Sequence, residues 1–190
     1  MARWWDALLG RTEPVRPDLD ALFALPSAAV TLQAATDLAP AGLGSVCFRS
    51  AEGGAFTTLE HDVVDLLAAG GGPPVTRSED SYGYTWLLVR RTPDQVGELV
   101  TDLHAVNSSL EGAGFGPSLL CSLVSFADRD GHRLALVYLY KRGTFYPFAP
   151  LSGGHRDNAL ELQVRAALEG ELRIEPDLGR WFPLWGAPGL

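Results

Sequence analysis

One lysine stands among fourteen arginines in this 190-residue chain. Lys141 precedes Arg142, and Phe145, Tyr146 and Phe148 follow in the stretch LYKRGTFYPFAP. Such a lysine is an active-site amine, a docking cation or the end of a strand. The arginine excess reflects genome composition, so rarity alone says little. Gly143 lets the chain turn after the pair, and Pro147 and Pro150 argue against a strand continuing through TFYPFAP. Lys141 and Arg142 are therefore expected at a sheet rim, with the aromatics folded back over apolar surface. Arg90 and Arg91 close another strand. If both strand ends share a rim, the four cations form one basic patch suited to an acidic coiled-coil partner or to anionic headgroups. Taken singly, the lysine reads as edge protection and the arginine as solvated.

The other candidates for chemistry are weaker. Asp102 and His104 are two apart on a helical pattern and do not face each other, so His104 reads as a structural histidine. His61, His132 and His155 fall on a helix, a turn and a loop, with no metal-ligand spacing. Cys47 and Cys121 sit in apolar strand-like runs without CxxC spacing and are expected to be buried reduced thiols. Nothing in the sequence supplies Cys121 with a partner that would lower its pKa. There is no GxSxG elbow, no GxGxxG after a strand and no phosphate-binding GKS or GKT loop. No catalytic residue, metal or cofactor is assigned. Tyr82, Tyr84 and Trp86, alternating on one strand face, and Tyr138 and Tyr140 on another, either line a groove for an apolar partner or form a core layer under helices.

The elements that would position these residues follow from period and punctuation. RTPDQVGELVTDLHAVNSSLEGAG offers Thr92 as N-cap, Pro93 at the first helical position and Gln95 three residues after the cap. Val96, Leu99, Val100, Leu103, Val106 and Leu110 then form one apolar stripe, ended by Gly112 and Gly114. AFTTLEHDVVDLLAAGGG repeats the scheme. Asn158 and Glu161 suggest another capping box, with Leu160, Val164, Ala167 and Leu168 on one face. A short helical segment within residues 1–26 is expected at MARWWDALLG. Strands are predicted at AAVTLQA, GSVCFRS and SYGYTWLLVRR. Asp130-Gly131 predicts a two-residue hairpin turn pairing Arg129 with His132, Leu123 with Tyr138, Cys121 with Tyr140 and Leu120 with Lys141. Both hairpin faces are apolar, so both sides of the sheet should be covered. The plan is α+β in a single domain over 1–190: a mainly antiparallel sheet of about five strands with helices on it, similar in element order to secretion chaperones, and an apolar tail over 171–190 wrapping the body.

Composition narrows the function. With 46% hydrophobic residues the chain buries a real core, and a net charge of -8 argues against nucleic acid as a partner. No apolar run near the start suits a signal peptide, so a cytoplasmic protein is expected. Trp4, Trp5, Leu8 and Leu9, flanked by Arg3 and Arg11, suit weak peripheral membrane contact, but about three turns bury little area, which favours docking on the protein's own body.

The phrases WLLVRRTPDQVGELVTDLHAVNSSLEGAGFGPSLLCSL, LVYLYKRGTFYPFAP, NALELQVRAALEG and WFPLWGAPGL, with the opening LLGR and LDALFALPSAAVTL, resemble the PspA-associated protein family PspAB. The resemblance implies a cytoplasmic accessory of the phage-shock, or envelope-stress, response built around PspA, a membrane-remodelling coiled-coil protein. It carries over no catalytic residues. The expectation is a non-enzymatic protein that binds a partner through Arg90, Arg91, Lys141, Arg142, Tyr146, Tyr82 and Tyr84. The alternative is a small enzyme or small-molecule-binding protein with its site near the aromatic strand 82–86 and the 141–148 loop.

Overall fold

The computed structural model describes residues 17–50, 58, 61–65 and 75–190. Its centre is a six-stranded antiparallel sheet in the order β2-β3-β1-β4-β5-β6. The strands are β1 (Ala39–Arg49), β2 (Thr76–Glu79), β3 (Tyr84–Arg90), β4 (Leu119–Ala127), β5 (Arg133–Leu139) and β6 (Thr144–Phe148). A two-residue ribbon, β7 (Pro150–Leu151) with β8 (His155–Arg156), follows. Three helices, α1 (Leu25–Thr36), α2 (Val96–Leu110) and α3 (Asn158–Leu168), share one apolar core with one face of the sheet, and residues 61–65 are also helical. The architecture is α+β, as the element order predicts. The N-terminal Trp4–Trp5 segment and most of AFTTLEHDVVDLLAAGGG lie outside the described residues; Val63 within the latter is buried in the core.

Strand alternation sends successive side chains to opposite faces. Val46, Phe48, Leu87, Val89, Val124, Phe126, Leu136, Tyr138 and Phe145 meet Leu22, Leu32, Leu99 and Leu103 on the helical side. Cys47, Trp86, Cys121, Leu123, Val137, Tyr146 and Phe148 form a second apolar layer on the other side, beneath Trp181 and Ala187 of the C-terminal segment.

Several local expectations are corrected. AAVTLQA is part of helix α1: Leu25, Ala28, Ala29 and Leu32 are buried at helical spacing while Val30 is 71% exposed, a pattern no strand produces. Pro26 starts this helix and Asp37, left-handed with φ 62°, ends it. The stretch Leu19–Thr36 is apolar and long enough to cross a membrane, yet its leucines pack in the core under the sheet. Helix α2 begins at Val96, because Thr92 to Gln95 close a separate turn in which the Gln95 amide donates to the Thr92 carbonyl at 2.9 Å. Its stripe of Leu99, Val100, Leu103, Val106 and Leu110 is buried as predicted, and a wide turn ending at left-handed Gly114 follows. The cap of α3 is Asp157, which accepts from the Leu160 amide at 2.9 Å, one residue before the predicted Asn158. Glu161 turns inward to accept from the Ala149 amide and Arg156 Nε, both at 2.9 Å.

The hairpin register is shifted by one residue. Asp128 Oδ1 accepts from the amides of Asp130 and His132, each at 2.9 Å, and Gly131 is left-handed at φ 89°. This is a three-residue loop with a glycine bulge instead of a two-residue turn. Cys121 therefore pairs with Leu139 and Leu123 with Val137, and Tyr138 and Tyr140 turn to the helical side. A single-residue slip exchanges the faces of every side chain on the strand. TFYPFAP also continues as a strand: β6 pairs with β5, and Pro147 is tolerated because β6 ends the sheet. Its outer side is covered by the chain itself, where the Phe145 amide donates to Arg173 O at 2.8 Å and the Glu175 amide to Phe145 O at 2.7 Å.

Candidate functional site: an aromatic cleft under the C-terminal segment

The C-terminal segment crosses the second face without closing on it everywhere. Tyr146 Oη donates to Phe182 O at 2.9 Å, Arg156 donates to Trp181 O, and Trp181 Nε1 donates to Glu175 O at 3.0 Å. Trp181 stacks on Tyr146 with ring centres 6.2 Å apart, and Trp185 meets Phe148 edge-on at 5.0 Å. These anchors all lie over β6 and its neighbours. Between this segment and the sheet lies a cleft of about 700 Å³ walled by Tyr84, Trp86, Leu120, Leu139, Tyr146 and residues 182–187, with Cys47 and Cys121 in its floor. Tyr82, Phe182 and Trp185 are exposed at its lips.

Asp80 organises the β3 wall. Its Oδ1 accepts from the amides of Tyr82 at 2.9 Å and Tyr84 at 3.0 Å, and its Oδ2 accepts from Trp86 Nε1 at 3.0 Å. Burial pushes this carboxyl up, but the indole and amide bonds outweigh burial and hold it below the usual carboxylate range. It is ionised and occupied in fixing Trp86. The thiol of Cys47 is pushed well up by its hydrogen bond with Cys121 and by burial, and burial pushes the Tyr146 phenol up. Among the described residues the cleft presents aromatic rings, two thiols and the Asp80 carboxylate committed to Trp86, a lining that suits apolar and aromatic contact.

The structure gathers Tyr82, Tyr84 and Tyr146 of the predicted residues at this cleft, and separates the four cations. Three antiparallel steps lie between β3 and β5, so their C-terminal ends point to opposite rims, with Arg90 and Arg91 at one and Lys141 and Arg142 at the other. Arg90 Nη1 donates to Thr76 Oγ1 at 2.6 Å. Arg91 is bidentate to Asp102, at 2.7 and 3.1 Å, and clamps β3 to α2. Lys141 is exposed on a tight turn, whereas Arg142 pairs with the fully buried Glu175. His104 faces Asp20 and Ser108, each at 3.3 Å, and not Asp102. Asp128, Asp130 and His132 gather at the hairpin tip, where Asp128 is committed to the loop amides and to His132 Nδ1 at 2.6 Å.

The model of the family PspAB, PspA associated protein B, matches residues 2–189. This chain belongs to the PspAB family. No curated protein and no solved structure matches it. In this PspAB-family protein the cleft includes parts that the sequence reading missed. Cys47, Leu120, Leu139 and the segment 182–187 line it because β1 and β4 are neighbours and the C-terminus returns over them, and neither pairing has a local signal. The one usable hint was the aromatic tail WFPLW, whose side chains needed an apolar surface to cover.

Proposed function

We propose that this protein is a non-enzymatic, cytoplasmic accessory of the PspA envelope-stress, or phage-shock, response, and that it docks a protein partner, PspA or one of its regulators, in the aromatic cleft. The family name supports the association with PspA. The observation that carries the binding role is the cleft itself: aromatic walls and exposed aromatic lips, with the Asp80 carboxylate committed to Trp86. Tyrosine and tryptophan in a partly desolvated cleft are the side chains that dominate interface energetics. A coiled-coil partner would lay apolar residues at helical spacing along such a groove.

The test is a titration of purified PspA against the wild-type protein and the Tyr82→Ala/Trp185→Ala double variant, whose substitutions are both at exposed lip positions. Affinity should fall at least about 30-fold, as for the loss of an interface hot spot. Unchanged affinity in a variant with a native circular dichroism spectrum would overturn the reading. One observation favours a second reading, a small-molecule-binding protein or small enzyme at the same place: a cleft near 700 Å³ lies within the size range of small-ligand pockets. A low-molecular-weight ligand retained through native mass spectrometry would favour that alternative.

A further inference from the structure

The floor of the cleft holds two thiols that partner docking does not use. Cys47 of β1 and Cys121 of β4 are direct partners across the antiparallel pair, both are free, and both line the cleft. Opposed residues of an antiparallel pair have Cα atoms about 4.5–5.5 Å apart, inside the span of about 4.4–6.8 Å that a disulfide bridges. The β1–β4 register shifts immediately after Cys47. Such an irregularity raises the local twist and frees a side chain from the ideal pleat.

We infer that Cys47 and Cys121 are a dithiol–disulfide couple, a modification site for low-molecular-weight disulfides of the glutathione type that enter through the cleft. Cys121, 6% exposed against 3% for Cys47, is taken as the attacking thiol. Its thiolate attacks one sulfur of oxidised glutathione. A Cys121–glutathione bond forms as the glutathione disulfide breaks, and the departing glutathione thiolate takes up a proton. Cys47 then loses its proton to water and attacks the Cys121 sulfur, expelling the second glutathione as its thiolate. Two protein thiols and one glutathione disulfide thus become one protein disulfide and two glutathione thiols. Among the described residues, the ionisable groups lining the cleft beside the pair are Asp80, Tyr82 and Tyr84 on one wall and Tyr146 on the other, and residues 182–187 add none. The neighbouring Cys121 and burial oppose the Cys47 thiolate but not a neutral disulfide. The pair is therefore slow to react at neutral pH, and its rate follows the thiolate fraction upward with pH.

The native full-length protein is exposed to oxidised glutathione at neutral pH and near pH 9, quenched in acid and followed by intact mass and peptide mapping. The expected product has lost two hydrogen atoms and joins the Cys47 and Cys121 peptides. It forms about tenfold faster per pH unit and reverts with dithiothreitol. The Cys47→Ser and Cys121→Ser variants give no internal crosslink. The inference is overturned if the native protein keeps both thiols near pH 9 while the guanidinium-unfolded protein oxidises. It is equally overturned if oxidation yields only crosslinks between molecules.

Discussion

Removing the Arg142 guanidinium should destabilise the fold far more than a surface charge change would. Glu175 is fully buried and accepts four bonds: from Arg142 Nε and Nη2, the latter at 3.3 Å, from Thr144 Oγ1 at 2.9 Å and from the Asp177 amide at 3.2 Å. Deleting one partner of a buried ion pair typically costs about 3–5 kcal/mol, because the other charge is left uncompensated. Here Arg142 is 31% exposed, so water enters the vacated space, and Thr144 and Asp177 still donate. The cost of Arg142→Ala is thus nearer about 2–3 kcal/mol, a fall in melting temperature of about 4–12 °C for a chain of this size. The pH dependence has a definite sign. Burial pushes the Glu175 carboxyl up, but Arg142 and Thr144 outweigh it and hold the carboxyl low. In wild type its stabilising contribution is present above the ordinary carboxyl range and is lost as pH falls through the depressed value. Without Arg142, burial dominates and the pKa rises, so the deficit is greatest at neutral pH and shrinks in mild acid. Urea unfolding at about pH 7 and pH 5 reads this out through Trp181, whose indole bonds Glu175 O. Glu175→Gln should recover part of the loss in the Arg142→Ala background, and Lys141→Glu should change stability little. An Arg142→Ala protein within about 0.5 kcal/mol of wild type at both pH values would refute the reasoning. The same pair corrects the expectation that Arg142 is a free docking cation.

Two further outcomes are expected. Gly42→Ala should cost at least about 3 kcal/mol, because Gly42 is left-handed at φ 70° and a Cβ there would lie 2.2 Å from Arg91 O. Gly83→Ala, at φ 79° in open space, should cost only about 1–2 kcal/mol, and equal melting temperatures for the two variants would contradict the steric account. Because its hydrogen bond to Asp128 raises the His132 pKa, NMR titration should place it above the ordinary value of about 6.5, with Asp128→Asn bringing it back. The bond is intact below the ordinary value and is lost as pH rises through the elevated one, so the loop amides should exchange faster in that window.

The stripe on α2, the apolar strands of β4 and β5 and the α+β plan were legible because helical and strand periods are properties of neighbouring residues. AAVTLQA was misread because a short apolar run carries both periods until burial chooses one, and burial of Ala28, Ala29 and Leu32 chose the helix. Asp130-Gly131 marked the turn, but the bonds from the Asp130 and His132 amides to the Asp128 carboxylate set the loop at three residues and thereby exchanged the faces of Cys121 and Tyr138. Strand order alone sends Lys141 and Arg90 to opposite rims, and it places Cys47 beside Cys121, far apart in sequence. The cleft lies between the sheet and a C-terminal segment held by Tyr146, Arg156 and Glu175. Those are contacts between distant segments, and their partners are selected by packing across the whole sheet, which no local pattern of residues encodes.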